Sequence, residues 1–171
     1  LYKDALPYAE AATQHFYGHA GAFFPETMYF WGSYNLDNFG WNTSINPYQY
    51  TENQYIRYYF QGALEVAAMM LDHYHHTLDE KFAQKTLLPF AHKVIQFYDE
   101  HYLRDANGRI YIYPSQALET YWDAVNPMPP VAGLHWNVEG ILELPEKFFT
   151  EEQLDFFRRI AQELPFIPKG E

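Results

Sequence analysis

Apolar residues recur along much of this chain at the three- and four-residue spacing of a helix that buries one face. Ile56, Phe60, Ala63, Ala67, Met70, Leu71 and Tyr74 follow that period. With Thr51 and Gln54 spaced as a capping box, they predict a helix from Glu52 to about Tyr74. Thr77 and Glu80 repeat the cap, and Phe82, Leu87, Phe90, Val94, Phe97 and Tyr98 predict a second helix to about Tyr102. Pro89 either kinks that helix or starts a new one. Val131, Leu134, Val138, Ile141 and Leu142 mark a further helix closed by Pro145. Thr150 and Gln153 cap a last one, carried by Leu154, Phe157, Ile160 and Leu164 up to Pro165. Within Leu1 to Tyr17, the residues Tyr8, Ala11, Ala12, His15 and Phe16 read as a helix that Gly18 and Gly21 stop.

Between these helices the pattern lapses. Gly18 to Asn46 is long and irregular, with Pro25, Gly32 and Gly40 among five large rings from Phe30 to Trp41. A loop of that length is usually functional or disordered, and its aromatic content argues against disorder. Asp105-Ala106-Asn107-Gly108 reads as a turn, and the alternation from Arg109 to Tyr113 predicts a short extended run ended by Pro114. The prediction is an all-α single domain over residues 1–171. It consists of helical hairpins joined by long aromatic loops, with at most a minor β-hairpin.

Composition narrows the function. Eleven basic against 22 acidic residues give a net charge of -11, which repels phosphate backbones and argues against nucleic-acid binding. No apolar run approaches the roughly 20 residues needed to span a bilayer. Cysteine is absent, so disulfides and thiol chemistry drop out. Sixteen Tyr, 14 Phe and 4 Trp make the chain 20% aromatic. So many tyrosine hydroxyls are hard to satisfy in a core, which points to a ring-lined cleft suited to ligands with an apolar face and polar edges, such as sugars. Packing between loops and helices accounts for the phenylalanines.

The chemistry concentrates after Pro114. Glu119 sits among Leu118, Tyr121 and Trp122, with Asp123 four residues later. A carboxylate held against rings loses hydration, its pKa rises, and it becomes a general acid able to work near neutral pH. The plainer reading is a surface glutamate beside buried aromatics. If both residues lay on one helix, their Cβ atoms would stand about 5–6 Å apart on the same face. Inverting glycosidases hold their carboxyls about 6.5–9.5 Å apart on opposite sides of the scissile bond. A partner for Glu119 therefore has to come from another segment, and Glu26, Asp37 and Glu52 are the long-range candidates within the chain. Asp123 is left as a substrate contact or an orienting residue.

Other constellations carry less. His15 with His19, and His73 with His75 and His76, lack the H-E-x-x-H signature and any cysteine, so no metal site is read from them. No phosphate-binding glycine loop or nucleophile elbow is present.

Tyr74-His75-His76-Thr77-Leu78-Asp79-Glu80-Lys81-Phe82, Leu87-Leu88-Pro89-Phe90-Ala91, Ile95-Gln96-Phe97-Tyr98-Asp99, the Asn107-Gly108 turn and Pro114-Ser115-Gln116-Ala117-Leu118-Glu119-Thr120 follow one another in an order that resembles bacterial six-hairpin glycosidases. The nearest likeness is to glycoside hydrolase family 95, inverting enzymes for α-L-fucosides and α-L-galactosides on an (α/α)6 toroid. It covers roughly Tyr50 to Leu144. That resemblance implies Glu119 as general acid, from the glutamate of a P-S-x-S-P-E-N element, with no cofactor and no metal. Ala117, Leu118 and Thr120 depart from that element, so the sugar does not carry over.

The resemblance further implies a base water held by a distant aspartate, beyond Glu171, and by two asparagines from the region of Asn35, Asn38, Asn42 and Asn46. Trp31, Asn35, Asn38, Trp41, Trp122 and Asp123 are the expected substrate contacts, for an oligosaccharide or polysaccharide. The chain is expected to be about half a toroid from a longer, secreted or periplasmic enzyme, completed by its missing segments or by self-association. The alternative from the same residues is a non-catalytic carbohydrate-binding or structural helical module.

Overall fold

A computed structural model describes residues 1–29 and 55–167. Helix α1 spans Tyr2–Tyr17 and ends on Gly18, whose left-handed φ of 76° closes the last turn. Helix α2 spans Gly62–Thr77, α3 is the single turn Glu80–Phe82, α4 runs Leu88–His101, α5 Met128–Leu142 and α6 Glu151–Glu163. The all-α class holds. Isolated bridges join Arg104 to Ile110 and Ser115 to Ala124. No described helix is long and apolar enough to cross a membrane.

Several expectations hold in detail. Thr150 caps α6 with a reciprocal box, its hydroxyl accepting from the Gln153 amide and the Gln153 side chain accepting from the Thr150 amide. Asp105 organises the predicted turn, accepting from the amides of Asn107 and Arg109 through Oδ1.

Others are corrected. The helix expected from Glu52 begins at Gly62, and the stretch from Tyr55 to Gln61 is turn. Its backbone partners lie elsewhere: Tyr58 N donates to the Gln116 side chain at 2.6 Å. The cap before α3 is Asp79, which accepts from Phe82 N, while the Thr77 hydroxyl bonds back to His73. Pro89 leaves α4 running onward from a π-turn over Ala83–Leu87, in which Leu88 N reaches Ala83 O. A proline has no N–H for the carbonyl four residues back and crowds it, so a widened turn ahead of Pro89 accommodates both. The extended run at 109–113 contributes only the Ile110 bridge.

Helix α2 packs on both α4 and α5, α1 on α4, and α6 on α5. The core is one cluster in which Leu64, Leu71, Phe90, Val94, Phe97, Leu134, Val138, Ile141, Phe157 and Ile160 are buried. At about 1.5–3 kcal/mol per fully buried apolar side chain, this cluster dominates the favourable side of folding. An ion-pair group ties the end of α4 to α6: Arg104 and Arg159 both hold Asp99, and Arg104 also reaches Glu163 at 2.6 Å. Burial opposes the charge on Asp99, but hydrogen bonds from the two arginines outweigh it and lower its pKa.

Candidate functional site

The stretch carrying Glu119 is a closed loop, not a helix. Its base is fixed by Asn126, whose amide donates to Ile112 O at 3.0 Å and whose Oδ1 accepts from Ile112 N at 2.8 Å. Ala124 N donates to Ser115 O, and Ala117 N to Tyr121 O, which places Glu119 at the tip. Asp123 and Asn126 adopt positive φ, 56° and 44°, a conformation that the short polar side chains of Asp and Asn tolerate better than most. The expected helical pairing of Glu119 with Asp123 is therefore corrected, because the backbone between them turns back on itself.

A second correction concerns burial. Glu119 is exposed, as are Leu118, Thr120, Tyr121, Trp122 and Asp123. The Trp122 indole N–H donates to the backbone carbonyl of Glu119, so the ring folds beneath the main chain and not against the carboxyl. Tyr55 meets the Trp122 ring edge-on at 5.5 Å. Trp122 remains 43% exposed.

A second carboxylate feels the charge of Glu119. Glu26 has its pKa raised, first by partial burial and then by the charge of Glu119. Of the three long-range candidates, Glu26 is the one described; Asp37 and Glu52 lie outside the described residues. So do Trp31, Asn35, Asn38 and Trp41, together with the capping pair Thr51 and Gln54. Tyr59, half-buried, stands in the field of the same two glutamates and of Glu65 on α2; burial and these charges raise its pKa, while a hydrogen bond from Gln61 opposes them.

Trp122 and Asp123, with Arg57 and Tyr58, line a cleft of about 130 Å³. A larger groove of about 300 Å³ lies between α2 and α5, bordered by Asp72, His75, Trp136, Glu139 and Glu143.

The loop is latched to the segment before α2 by Gln116, which is fully buried. Its Oε1 accepts from Tyr58 N and its Nε2 donates to Tyr55 O at 2.9 Å. Sequence reading did not single out Gln116, Arg57, Tyr59 or Gln61; a glutamine gives no sign in sequence of whether it will be buried and fully bonded. Replacing Gln116 by Leu strands these backbone groups, and about 1–3 kcal/mol of stability should be lost in a denaturant titration.

His19 meets His101, Nε2 to Nδ1 at 2.9 Å, with the other His19 nitrogen 2.7 Å from Ala20 O. Models of known protein families and curated proteins both fail to match the chain.

Proposed function

We propose that this chain supplies the acid-bearing part of a glycoside hydrolase site, with Glu119 as general acid, inverting stereochemistry and a partial (α/α)6 toroid as scaffold. The observation that carries the reading is that Glu26, a carboxyl on a separate segment, feels the charge of Glu119. Beyond partial burial, the charge of Glu119 raises the pKa of Glu26, so the two carboxyls are electrostatically linked. A partner on a different segment is also what flanking a scissile bond demands. In this reading Glu119 delivers the proton to the leaving oxygen, and Glu26 is the carboxyl of the separate segment that feels its charge. In this reading the saccharide lies against Trp122, with Asp123 accepting from its hydroxyls. Trp31, Asn35, Asn38 and Trp41 are proposed as the remaining contacts.

Glu119→Gln in the intact protein tests this on natural oligosaccharides, whose leaving groups need protonation. Turnover should fall by about 10²–10⁴ and the alkaline limb of the pH-rate profile, where the acid loses its proton, should disappear. Unchanged turnover would remove Glu119 from the mechanism.

A second reading is favoured by the exposure of Glu119, Tyr121 and Trp122 on one loop: a carbohydrate-binding module without turnover. Saccharide binding on a glycan array, with no hydrolysis by the intact protein, would select it.

A further inference from the structure

The groove between α2 and α5 has no part in the proposed carbohydrate contacts, and its lining is of another kind. The two helices lie side by side and run in the same direction. A Cβ on Gly133 would meet the Leu64 side chain, and a Cβ on Gly140 would meet that of Leu71, so contact advances along both helices together. Between those two glycines in the chain, the Asn137 side chain donates to the Leu64 carbonyl at 3.0 Å. Because the helices are parallel, their C-terminal ends lie at the same end of the pair. The groove, about 300 Å³ in volume, is found towards that end, with Leu71 and Gly140 in its lining.

The polar part of the lining is acidic. Helix α2 contributes Asp72 and His75, and α5 contributes Trp136, Glu139 and its C-cap residue Glu143. Among the described residues, no lysine or arginine lines the groove. Glu139 takes a hydrogen bond from His135 Nδ1 at 2.9 Å, while Asp72 and Glu143 have no ion-pair partner among the described residues. Two parallel helix ends add partial negative charge at the same place. Trp136 is 59% exposed and sets an indole in this field. Trp136, Glu139 and Glu143 follow one another along one face of α5, roughly 10 Å from first to last at the rise of a helix.

That arrangement discriminates between kinds of cation. The acidic groups are strung along the groove, and among the described residues no three metal-ligating side chains come together as a metal site. An alkylammonium group suits it better. Carboxylates take its N–H bonds, and an indole face attracts both the cation and the methylenes beside it. Several such groups on one chain would match acceptors spaced along the helix.

We propose that the groove between the C-terminal halves of α2 and α5 binds a small organic polycation of the polyamine class. Trp136 lies against its methylene chain, and Asp72, Glu139 and Glu143 accept from its ammonium groups. The site stands apart from the glycosidase reading and does not depend on it.

The test is calorimetric titration of the intact protein with spermidine at low ionic strength. Binding should saturate at a single site and weaken as salt rises. Trp136→Ala should weaken it about threefold to thirtyfold. Asp72→Asn and Glu143→Gln should each weaken it about twofold to fivefold. All three residues are exposed, so the melting temperature should hardly move. The double variant Glu151→Gln, Glu152→Gln removes two exposed charges from α6 and should bind as the wild type does.

Equal weakening in the α6 variant would reduce the binding to diffuse attraction by an acidic surface and overturn the proposal. So would heats that never saturate, full-strength binding by Trp136→Ala, or Mg²⁺ binding as tightly as spermidine. Tighter binding of a glucosamine oligosaccharide than of spermidine would assign the groove to an amino sugar and overturn it as well.

Discussion

Gly21→Ala should cost the protein about 3–5 kcal/mol and bring it close to unfolding at ordinary temperature. Gly21 has φ 95°, a conformation that costs an L-residue roughly 1–2 kcal/mol. The larger part is steric. A Cβ there would lie 2.3 Å from Phe97 N and 2.5 Å from Phe97 Cα. These are backbone atoms inside α4, and Phe97 is buried in the core, so neither side can yield. Forcing extra atoms into a packed site costs a further 1–3 kcal/mol or more. The neighbouring bond from Ala22 N to Lys93 O, at 2.8 Å, shows how closely this strand of chain lies along the helix. Gly108→Ala is the control. Its φ is 76°, but nothing lies within 4 Å of the added atom, so only the conformational cost of about 1–2 kcal/mol remains. Against a typical total of about 5–15 kcal/mol, denaturant titrations of the two variants should separate clearly. Equal losses would refute the steric part of the argument.

Acidification should destabilise the fold between pH 6.5 and about 3 through His101. Burial lowers the pKa of this histidine to about 3, with the neighbouring His19 adding to the effect. The ring is packed parallel to Phe97 at 4.7 Å and edge-on to Phe60 and Tyr17. In the neutral pair, His19 donates to Ala20 O, so its Nε2 accepts from His101 Nδ1–H. A second proton on His101 has to go to Nε2, where burial among these rings disfavours the charge.

The direction follows from linkage. Above pH 6.5 both folded and unfolded chains hold His101 neutral, and its contribution is complete. Below that, the unfolded chain binds a proton that the folded one refuses, so stability falls as pH drops towards 3. The slope is at most about 1.4 kcal/mol per pH unit for one proton. His92 has its pKa lowered too, first by burial and then by Lys93, and acts in the same sense. His101→Phe keeps an aromatic ring in place and should flatten stability across this window, measured by urea denaturation at successive pH values. An undiminished slope would assign the acid sensitivity elsewhere.

Much of the secondary structure follows from local rules that sequence alone expresses. The Thr150–Gln153 box starts α6 because two side chains three residues apart can satisfy two orphan amides. Gly18 ends α1 because a glycine enters the left-handed region at no steric cost. The apolar period of α5 brings Val131, Leu134, Val138 and Ile141 into the core as spacing predicts. Where the rules failed, a distant partner had intervened. Residues 55–61 carry a helical period, yet Gln116 takes up backbone groups at both Tyr55 and Tyr58, and α2 starts later.

The same division runs through the candidate site. Trp122 and Asp123 line one cleft because both lie on the same short loop. Glu119 could be picked out as a carboxylate among rings, but which groups would surround it could not. Its exposure is set by the hydrogen bonds closing the loop from Ile112 to Asn126, and its electrostatic partner, Glu26, comes from a chain position some ninety residues earlier. Periodicity and capping act over a few residues and are written locally. Contacts between remote segments depend on how helices pack, and only the folded chain decides them.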